Sequence, residues 1–248
     1  MNAPTPARAK LRLAVITPLA NEETGIDEWM PRVLAQLGEG DRVFCVLDNV
    51  SRDRTRDKVA EWAQRDQRVS LVWAPENRCV VDAYFRGYQA AYDAGAEWIL
   101  EMDGGLSHLP EEIPAFIAAM QNGADFAAGC RFTRGGGYAG PWSRYLVSKG
   151  GTWLTNLLLG TRMADMTSGF ECFSRRAMAE VLARRVRSKA HFFQTEIRFM
   201  LHDWKWVEVP IHYTNPSKRL GGDSLKEALR ILGQLRRELR QKSNRPPK

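Results

Sequence analysis

Apolar runs alternate with helix-like segments along this chain of 248 residues, and this alternation limits its fold more than any other feature. Five runs rich in β-branched residues are predicted to form strands, namely 11–20, 41–50, 68–77, 97–103 and 124–132. Helical periodicity fills the intervals, at 26–38, 52–66, 80–94 and 111–122. Strands that alternate with helices of this length are typical of a mostly parallel sheet flanked by helices. The predicted fold class is therefore α/β.

A different pattern begins near residue 133, with the glycine-rich loop "TRGGGYAGPW". The elements predicted after it are a helix, a strand, two helices, a strand and a helix: 143–159, "SGFECFS", 175–184, 192–203, "KWVEVPIHYT" and 224–240. Because no linker divides the halves, residues 11–223 are expected to form one domain with one sheet. We expect residues 1–10 to be disordered and residues 224–248 to form a basic amphipathic helix and tail.

The net charge of the chain is concentrated at its C-terminal end. The net charge is +7, and residues 217–248 contain ten Lys or Arg and three Asp or Glu, so the rest of the chain is neutral. A basic tail favours an anionic partner, such as a phosphate or a lipid surface, or serves only solubility. The leucines from Leu225 to Leu239 either face a membrane or pack on the body. Nucleic acid is not expected, because no aromatic stacking platform accompanies the tail.

Composition favours a cytoplasmic location. No window approaches the roughly 20 apolar residues of a membrane-spanning helix, and the N-terminus lacks the apolar stretch of a signal peptide. The four cysteines form no C-x-x-C pair, and Cys45 and Cys130 lie in apolar runs, as expected for buried thiols in a reducing compartment. We therefore expect a cytoplasmic protein with peripheral contact at the inner face of the cell membrane.

Carboxylates follow two of the predicted strands at the point where each strand ends. Asp48 follows the second strand, with Asp53 at the next helix start, and Asp103 follows the fourth strand beside two glycines. Such carboxylates meet at one edge of a parallel sheet and suit ribose hydroxyls or a divalent ion on phosphates. Taken singly, Asp53 is better explained as a helix cap and Asp48 as a turn residue. The G-x-G-x-x-G fingerprint of dinucleotide oxidoreductases is absent from the sequence.

Eight motifs then follow one another in a specific order: "VITPLANEE", "VLDNVSRDRT", "MDGGLSHLPEEIP", "AGCRF" with "GGG", "SRYLVSKGGTWLTNLLLG", "DMTSGFECFSR", "HFFQTEI" and "VEVPIHY". In this order and spacing they resemble the inverting glycosyltransferases of family 2, which have the GT-A fold. The resemblance is greatest to the dolichol-phosphate (polyprenyl-phosphate) mannosyl- and glucosyltransferases. It covers roughly residues 11 to 225.

The resemblance implies a nucleotide-sugar site formed by Pro18, Asn21, Glu22, Asp48, Asp53 and Asp103. Asp103 matches the first carboxylate of the family's D-x-D motif, which holds a metal ion, here Mg²⁺ or Mn²⁺, and the diphosphate. Two positions depart from the family: Asn49 replaces the second acid of "DDxSxD", and Gly105 replaces the second aspartate of D-x-D. The missing carboxylate is expected to weaken metal binding without abolishing it. A third departure, "NRCVVDAYFRG", leaves the base and the hexose open.

The resemblance also implies a site for a lipid phosphate, formed by Arg131, Arg144, Ser148, Lys218 and Arg219. The residues it implies for catalysis are Asp103, Arg131 and Glu196. A phosphate acceptor is already anionic and needs no strong base. A hydroxyl acceptor would need one, and Glu196 and Asp165 are the candidates.

The function implied is transfer of mannose or glucose, with inversion, from GDP- or UDP-hexose to a polyprenyl phosphate at the membrane surface. Two alternatives stay open: a glycosyltransferase with a soluble or glycan hydroxyl acceptor, and a catalytically weakened nucleotide-sugar-binding protein. His108 either caps the helix that follows it or serves as a ligand or proton carrier. Tyr138 and Trp142 either close over the acceptor as a lid or anchor the protein to a surface.

Overall fold

The computed structural model describes residues 11–214 and 222–243. Its strands are β1 Leu13–Pro18, β2 Arg42–Leu47, β3 Val69–Trp73, β4 Trp98–Glu101, β5 Phe126–Cys130, β6 Gly137–Tyr138, β7 Glu171–Ser174, β8 Trp206–Pro210 and β9 His212–Tyr213. Its α-helices are α1 Ile26–Leu34, α2 Thr55–Arg65, α3 Val80–Asp93, α4 Ile113–Gln121, α5 Trp142–Leu159, α6 Arg175–Ala183, α7 Phe192–Met200 and α8 Gly222–Ser243. The prediction for residues 1–10 lies outside the described part of the chain.

Seven strands form one sheet in the order β3-β2-β1-β4-β7-β5-β8. Each neighbouring pair is parallel except where β7 runs antiparallel between β4 and β5. This architecture confirms the predicted α/β class with a mostly parallel sheet. The second half of the chain does extend the first sheet, as expected. However, β7 separates the fourth strand from the fifth, which local sequence patterns did not indicate.

The sheet is covered on both faces, and β1 shows how the sequence achieves this. Leu13 and Val15 pack into a core with α1 and α4, whereas Ala14 and Ile16 pack into a second core with α3, α6 and α7. Successive side chains of a strand point to opposite faces, and all four are completely buried. In a strand that is buried on both faces, every side chain points into a core. This explains why the sequence of β1 is a continuous apolar run.

The predicted strand "KWVEVPIHYT" is two strands that belong to different sheets. β8 pairs with β5 in the main sheet, while β9 pairs in parallel with β6, inside the glycine-rich loop. The His212 side chain lies so close to the loop here that a Cβ on Gly137 would lie 2.7 Å from His212 Cδ2. Glycine at this position therefore allows the loop to dock on β9. As a result, Tyr138 and Tyr213 are brought beside each other at the end of the main sheet.

The C-terminal helix α8 packs on α5, and its leucines divide between two environments. Ile231, Leu232 and Leu235 are buried against Leu159 of α5. By contrast, Leu225 and Leu229 are 54% and 51% exposed. Packing on the body, one of the two readings of the sequence, therefore applies to the middle of this helix and not to its start.

Candidate active site

The carboxyl ends of β1, β2 and β4 meet at one edge of the sheet, as predicted. Pro18 ends β1 and is paired in register with Val46 of β2. Asp48 follows β2 and is largely buried. Its Oδ1 accepts a hydrogen bond from Val50 N at 2.9 Å, and its Oδ2 accepts one from Asn77 Nδ2 at 3.3 Å. Asp48 thus joins the loops that follow β2 and β3.

Asn21 and Asp53 connect the loops that follow β1 and β2. Asn21 has a φ of 59°, and its side-chain Oδ1 accepts a hydrogen bond from Arg52 N at 2.9 Å. Asp53 accepts hydrogen bonds from Glu23 N at 3.0 Å and from both N and Oγ1 of Thr55. Although burial opposes it, these hydrogen bonds lower the pKa of Asp53 to about 2. The visible role of both side chains is to hold the loops, and their contact with a nucleotide stays a prediction.

Asp103 lies just beyond β4 and is held by three neighbours. Its Oδ1 accepts a hydrogen bond from Tyr84 Oη at 3.0 Å, and its Oδ2 accepts one from Ser107 Oγ at 3.1 Å. Its backbone N–H donates to His108 Nδ1 at 3.0 Å. The Asp103 side chain is still 33% exposed, so its carboxylate is oriented by the protein and accessible to a ligand.

His108 does not cap the helix that follows it, so that interpretation was wrong. The turn at Pro110–Glu112 and the helix α4 both begin without a side-chain cap. Instead, the ring is buried against Phe170 and Tyr213 and accepts the hydrogen bond from Asp103. Burial lowers the pKa of His108, which keeps the ring neutral and able to accept at Nδ1. Its role is to fix the backbone of Asp103.

The glycines after Asp103 bring this turn against the loop that follows β1. A Cβ on Gly104 would lie 2.0 Å from Leu19 Cδ2, and a Cβ on Gly105 would lie 3.2 Å from Glu22 Oε1. Glu22 therefore has its carboxylate beside the position where the D-x-D motif has a second aspartate. Burial and the nearby negative charge of Asp103 raise the pKa of Glu22.

The residues present fit a divalent ion that is held only in part by protein. In the described part of the chain, no three His, Cys, Asp or Glu side chains are grouped so as to hold a metal. Asp103 and Glu22 provide two carboxylates that interact electrostatically. Mg²⁺ is commonly bound by one or two carboxylates, with waters and substrate phosphates as the other ligands. The donor set is thus suited to an ion that arrives with a diphosphate.

Arg131 lies after β5 and is almost completely buried. Its Nε donates to Asp165 Oδ2 at 2.7 Å and its Nη2 to Asp165 Oδ1 at 2.9 Å, which is a bidentate ion pair. Although burial opposes it, the charge of Arg131 lowers the pKa of Asp165 to about 2. The guanidinium also lies over the rings of Tyr138 and Tyr213, at 6.0 Å and 5.6 Å from their centroids.

Tyr213 connects the Asp103 side of the site to the Arg131 side, and sequence reasoning missed it. Its ring contacts both the ring of His108 and the guanidinium of Arg131, and its hydroxyl interacts electrostatically with Asp103, Arg131 and Arg144. Burial is the main reason why the pKa of Tyr213 is raised to about 12. The available signal was its place at the end of "VEVPIHY", one of the eight motifs. Tyr84 was missed because it lies inside a helix with a regular apolar face.

Helix α5 carries two of the residues expected to bind the acceptor phosphate, Arg144 and Ser148, both partly exposed. The next residue, Lys149, has its Nζ 4.5 Å above the ring of Phe132, which follows Arg131 in the sequence. These contacts bring the first half of α5 beside Arg131. Lys218 and Arg219 lie outside the described residues.

Glu196 was expected to be catalytic, but its carboxylate is engaged elsewhere. Its oxygens accept hydrogen bonds from Arg187 N and Ser188 N at 2.8 to 3.2 Å, and burial raises its pKa. No hydrogen bond found among the described residues connects it to Asp103 or Arg131. The structure therefore shows a loop-holding role, and a catalytic role for Glu196 stays a prediction.

A buried polar layer beneath the site was not predicted from the sequence. Arg198 of α7 is completely buried and donates to Glu171 and to the backbone oxygens of Asp165, Gly129 and Ser168. Burial raises the pKa of Glu171 to about 7, against the effect of Arg198. Because Arg198 contacts the segment that contains Asp165, this layer positions the partner of Arg131.

Proteins of known function resemble the chain over most of its length. It is 29% identical to the polyprenol monophosphomannose synthase of Mycolicibacterium smegmatis, over 91% of this chain and 87% of that one. Identity is 27% to the undecaprenyl-phosphate mannosyltransferase of Micrococcus luteus, over 86% and 89% of the two chains. It is 28% to the dolichol-phosphate mannosyltransferase of Pyrococcus furiosus, over 91% of this chain and 64% of that protein.

Solved structures agree on the fold. The glucosyl-3-phosphoglycerate synthase of Mycobacterium tuberculosis, in complex with Mn²⁺, UDP-glucose and phosphoglyceric acid, superimposes with a TM-score of 0.68 at 14% identity. The alignment covers 92% of this chain and 81% of that one. This similarity confirms the expected GT-A fold. The model of glycosyl transferase family 2 matches residues 14–182, which is more than half of the sequence. The chain belongs to glycosyl transferase family 2.

Proposed function

We propose that this protein transfers a hexose, mannose or glucose, from a GDP- or UDP-sugar to a polyprenyl phosphate, with inversion at the anomeric carbon. The observation that carries the proposal is the position of Arg131, which is fixed by Asp165 and lies over the ring of Tyr213, a side chain that also interacts electrostatically with Asp103. One side of the site is thus suited to a metal-bound diphosphate and the other to an anionic acceptor. The three mannosyltransferase relatives, whose names specify polyprenol or prenyl phosphates, support the same acceptor class.

On the donor side, Asp48 and the loop held by Asn21 are proposed to contact the base and ribose, beside Pro18. Asp103 and Glu22 would hold Mg²⁺ or Mn²⁺ against the diphosphate. When bound, the ion neutralises the charge that develops on the leaving diphosphate. Tyr84 and Ser107 donate hydrogen bonds that keep the Asp103 carboxylate oriented for this contact.

On the acceptor side, the site favours a phosphate over a hydroxyl group. A hydroxyl nucleophile needs a base whose pKa lies near neutrality. The pKa of Asp165 is about 2 and both of its oxygens accept from Arg131, so it is a poor base. A phosphate monoester is already anionic at neutral pH, and Arg131, Arg144 and Ser148 would orient it rather than deprotonate it.

The proposed place of action is a membrane surface, because a long polyprenyl phosphate resides in the bilayer. In residues 11–214 and 222–243, no helix has the length and apolar character needed to cross a membrane. Peripheral contact is therefore the form of membrane association that we propose.

A transfer assay tests the proposal directly. Purified protein is incubated with labelled GDP-mannose or UDP-glucose and Mn²⁺, together with either a polyprenyl phosphate or the matching polyprenol. We expect product from the phosphate alone, with an anomeric configuration opposite to that of the donor by NMR. Transfer to the alcohol but not to the phosphate would reject the acceptor class.

A second candidate is a nucleotide-sugar-binding protein with weakened catalysis. Gly105 and Asn49 favour it, because each replaces an acid of the family motifs. Binding of the nucleotide sugar without either transfer or metal-dependent hydrolysis would support this candidate over the enzyme.

A further inference from the structure

One face of α5 exposes a row of large apolar side chains. Trp142, Leu146, Trp153 and Leu157 are 70%, 54%, 66% and 59% exposed. Their spacings of four, seven and four residues place them on one side of the helix. We call these four residues the α5 stripe. The other side of α5 is occupied, because Leu159 packs in a small core with leucines of α8. The stripe is therefore the outward face of the helix.

An apolar row of this kind is unusual on a soluble surface that has no partner. Single exposed leucines are ordinary, but contiguous large apolar groups mark contact sites. Two of the four side chains are tryptophans, which combine a large apolar ring with a polar N–H group. Side chains of this type are enriched where apolar lipid meets water.

The charge around the stripe favours an anionic contact surface. Between Asp125 and Asp165 the sequence contains no acidic residue, whereas it contains five basic ones. Lys149 lies next to the stripe on α5, and Arg134 and Arg162 are exposed before and after the helix. A second copy of this chain would bring like charges together at this face. Anionic lipid headgroups would meet opposite charges.

The stripe also lies beside the acceptor side of the site. A groove of about 520 Å³ runs along α5 and is lined in part by Lys149, Trp153, Met163 and Ala164. Ala164 directly precedes Asp165, the partner of Arg131. A phosphate at Arg131 would therefore have its hydrocarbon chain next to the stripe.

We infer that the α5 stripe docks the protein on the surface of an anionic lipid bilayer. This inference rests on the proposed transfer to a lipid phosphate and names the surface that meets the lipid. Trp142 and Trp153 enter the boundary between headgroups and acyl chains, and the basic residues beside them contact the headgroups. In the sequence, α8 was the expected membrane helix. However, packing buries the middle of its leucine row, whereas all four side chains of the α5 stripe are exposed.

Vesicle sedimentation of the full-length protein tests this inference. Vesicles of phosphatidylcholine with phosphatidylglycerol are compared with vesicles of phosphatidylcholine alone. We expect binding to the anionic vesicles that weakens at high salt. Trp153→Glu is expected to lower the vesicle affinity by roughly tenfold or more, because it places a charge at the centre of the face that enters the bilayer. Leu157→Glu is a second variant with the same expected direction.

Two controls separate the α5 stripe from other surfaces. Trp73→Glu changes a tryptophan that is 39% exposed on β3, at the opposite edge of the sheet, and should leave vesicle binding unchanged. Leu225→Glu with Leu229→Glu tests the exposed start of α8. If that double variant abolishes binding while Trp153→Glu does not, the assignment to α5 is overturned.

A water-soluble short-chain prenyl phosphate separates this inference from the proposed function. Leu157→Glu, whose side chain is not among those that line the groove along α5, should transfer hexose to it at the wild-type rate, since no bilayer is involved. If the wild type transfers to no prenyl phosphate, the proposed function fails, whatever the vesicle result.

If Trp153→Glu converts a dimer to a monomer in light scattering and still binds vesicles normally, the stripe is a self-association surface and the docking inference is wrong.

Discussion

Asp103 accepts hydrogen bonds from Tyr84 and Ser107, while its backbone is fixed by His108. We expect Asp103→Asn to reduce transfer by more than roughly 100-fold, because it removes a charged ligand of the diphosphate-bound metal. The melting temperature should change little, since the amide keeps an oxygen for one of the two donors. Initial rates with saturating prenyl phosphate check the prediction. Ser107→Ala is the matched control, with a smaller loss. Wild-type rates in well-folded Asp103→Asn would remove this residue from the donor site.

Position 105 allows a second prediction at the residue scale. Gly105→Asp would add a carboxylate whose Cβ lies 3.2 Å from Glu22 Oε1. We expect tighter Mn²⁺ binding, and lower stability of the metal-free protein because like charges are brought together. Titration followed by Mn²⁺ electron paramagnetic resonance measures the first effect, and thermal unfolding with and without Mn²⁺ measures the second.

Gly105→Ala controls for the added Cβ alone and should not tighten the binding of Mn²⁺. Glu22→Gln in the Gly105→Asp background should restore the metal-free stability. If Mn²⁺ affinity is the same in Gly105→Asp as in the wild type, position 105 lies outside the coordination sphere.

Sequence reasoning found the charged residues of the site more readily than the aromatic ones. Asp48 and Asp103 were identified from their places at strand ends, where an isolated acid is unusual. Tyr84 and Tyr213 were not, because an aromatic ring inside an apolar pattern has the same appearance whether it fills a core or lines a site. Only the packing of α3 and β9 against the sheet edge distinguishes the two cases.

At the scale of elements, the segment after β5 is joined to the segment before β7 by the ion pair of Arg131 and Asp165. The folded protein has a pKa of about 2 for Asp165, below the ordinary value of 3.8. The ionised form therefore stabilises the folded state above about pH 4, and this stabilisation is lost as the pH falls toward 2. The contribution is on the order of 2 kcal/mol.

Urea unfolding at a series of pH values checks this element-scale prediction. Asp165→Asn should be less stable at pH 7 by about 3 kcal/mol or more, since it leaves Arg131 buried without a charged partner. The difference in the free energy of unfolding between the wild type and Asp165→Asn should then decrease as the pH is lowered from 4 to 2. Asp27→Asn, which removes an exposed ion pair with Lys58, should change stability by less than about 1 kcal/mol. A difference that stays constant over this pH range would contradict the assigned pKa.

Local pattern predicted which segments are strands but not how they are ordered. The run "SGFECFS" was correctly predicted as a strand, yet nothing in its seven letters indicates that β7 inserts antiparallel between β4 and β5. Similarly, "KWVEVPIHYT" has the composition of one long strand. Its division after Pro210 depends on the close approach of Gly137 to His212, a contact between distant parts of the chain.

At the scale of the whole molecule, α8 is part of the folded body as well as a basic extension. Leu232 is buried in the small core between α5 and α8. We expect Leu232→Ala to lower the free energy of unfolding by about 2 to 4 kcal/mol, because it opens a cavity there. Chemical denaturation measures this change. Leu229→Ala, half-exposed on the same helix, is the control and should cost far less.

Deletion of residues 224–248 is consequently expected to lower stability as well as vesicle binding, and is a poorer test of membrane contact than a point substitution. A deletion variant with wild-type stability would contradict the role assigned to this core.

The position of β7 has a consequence for how the chain is made. A protein emerges from the ribosome from its N-terminus, so β1 to β4 are available to one another early. In the sheet, β5 pairs with β7 on one side and with β8 on the other, and both are synthesised later. The apolar strand β5 therefore has two unpaired edges until residues 171–174 and 206–210 have been synthesised. A fragment that ends at residue 165 should therefore be cleaved readily by protease within residues 126–130, whereas the same bonds in the complete chain should resist.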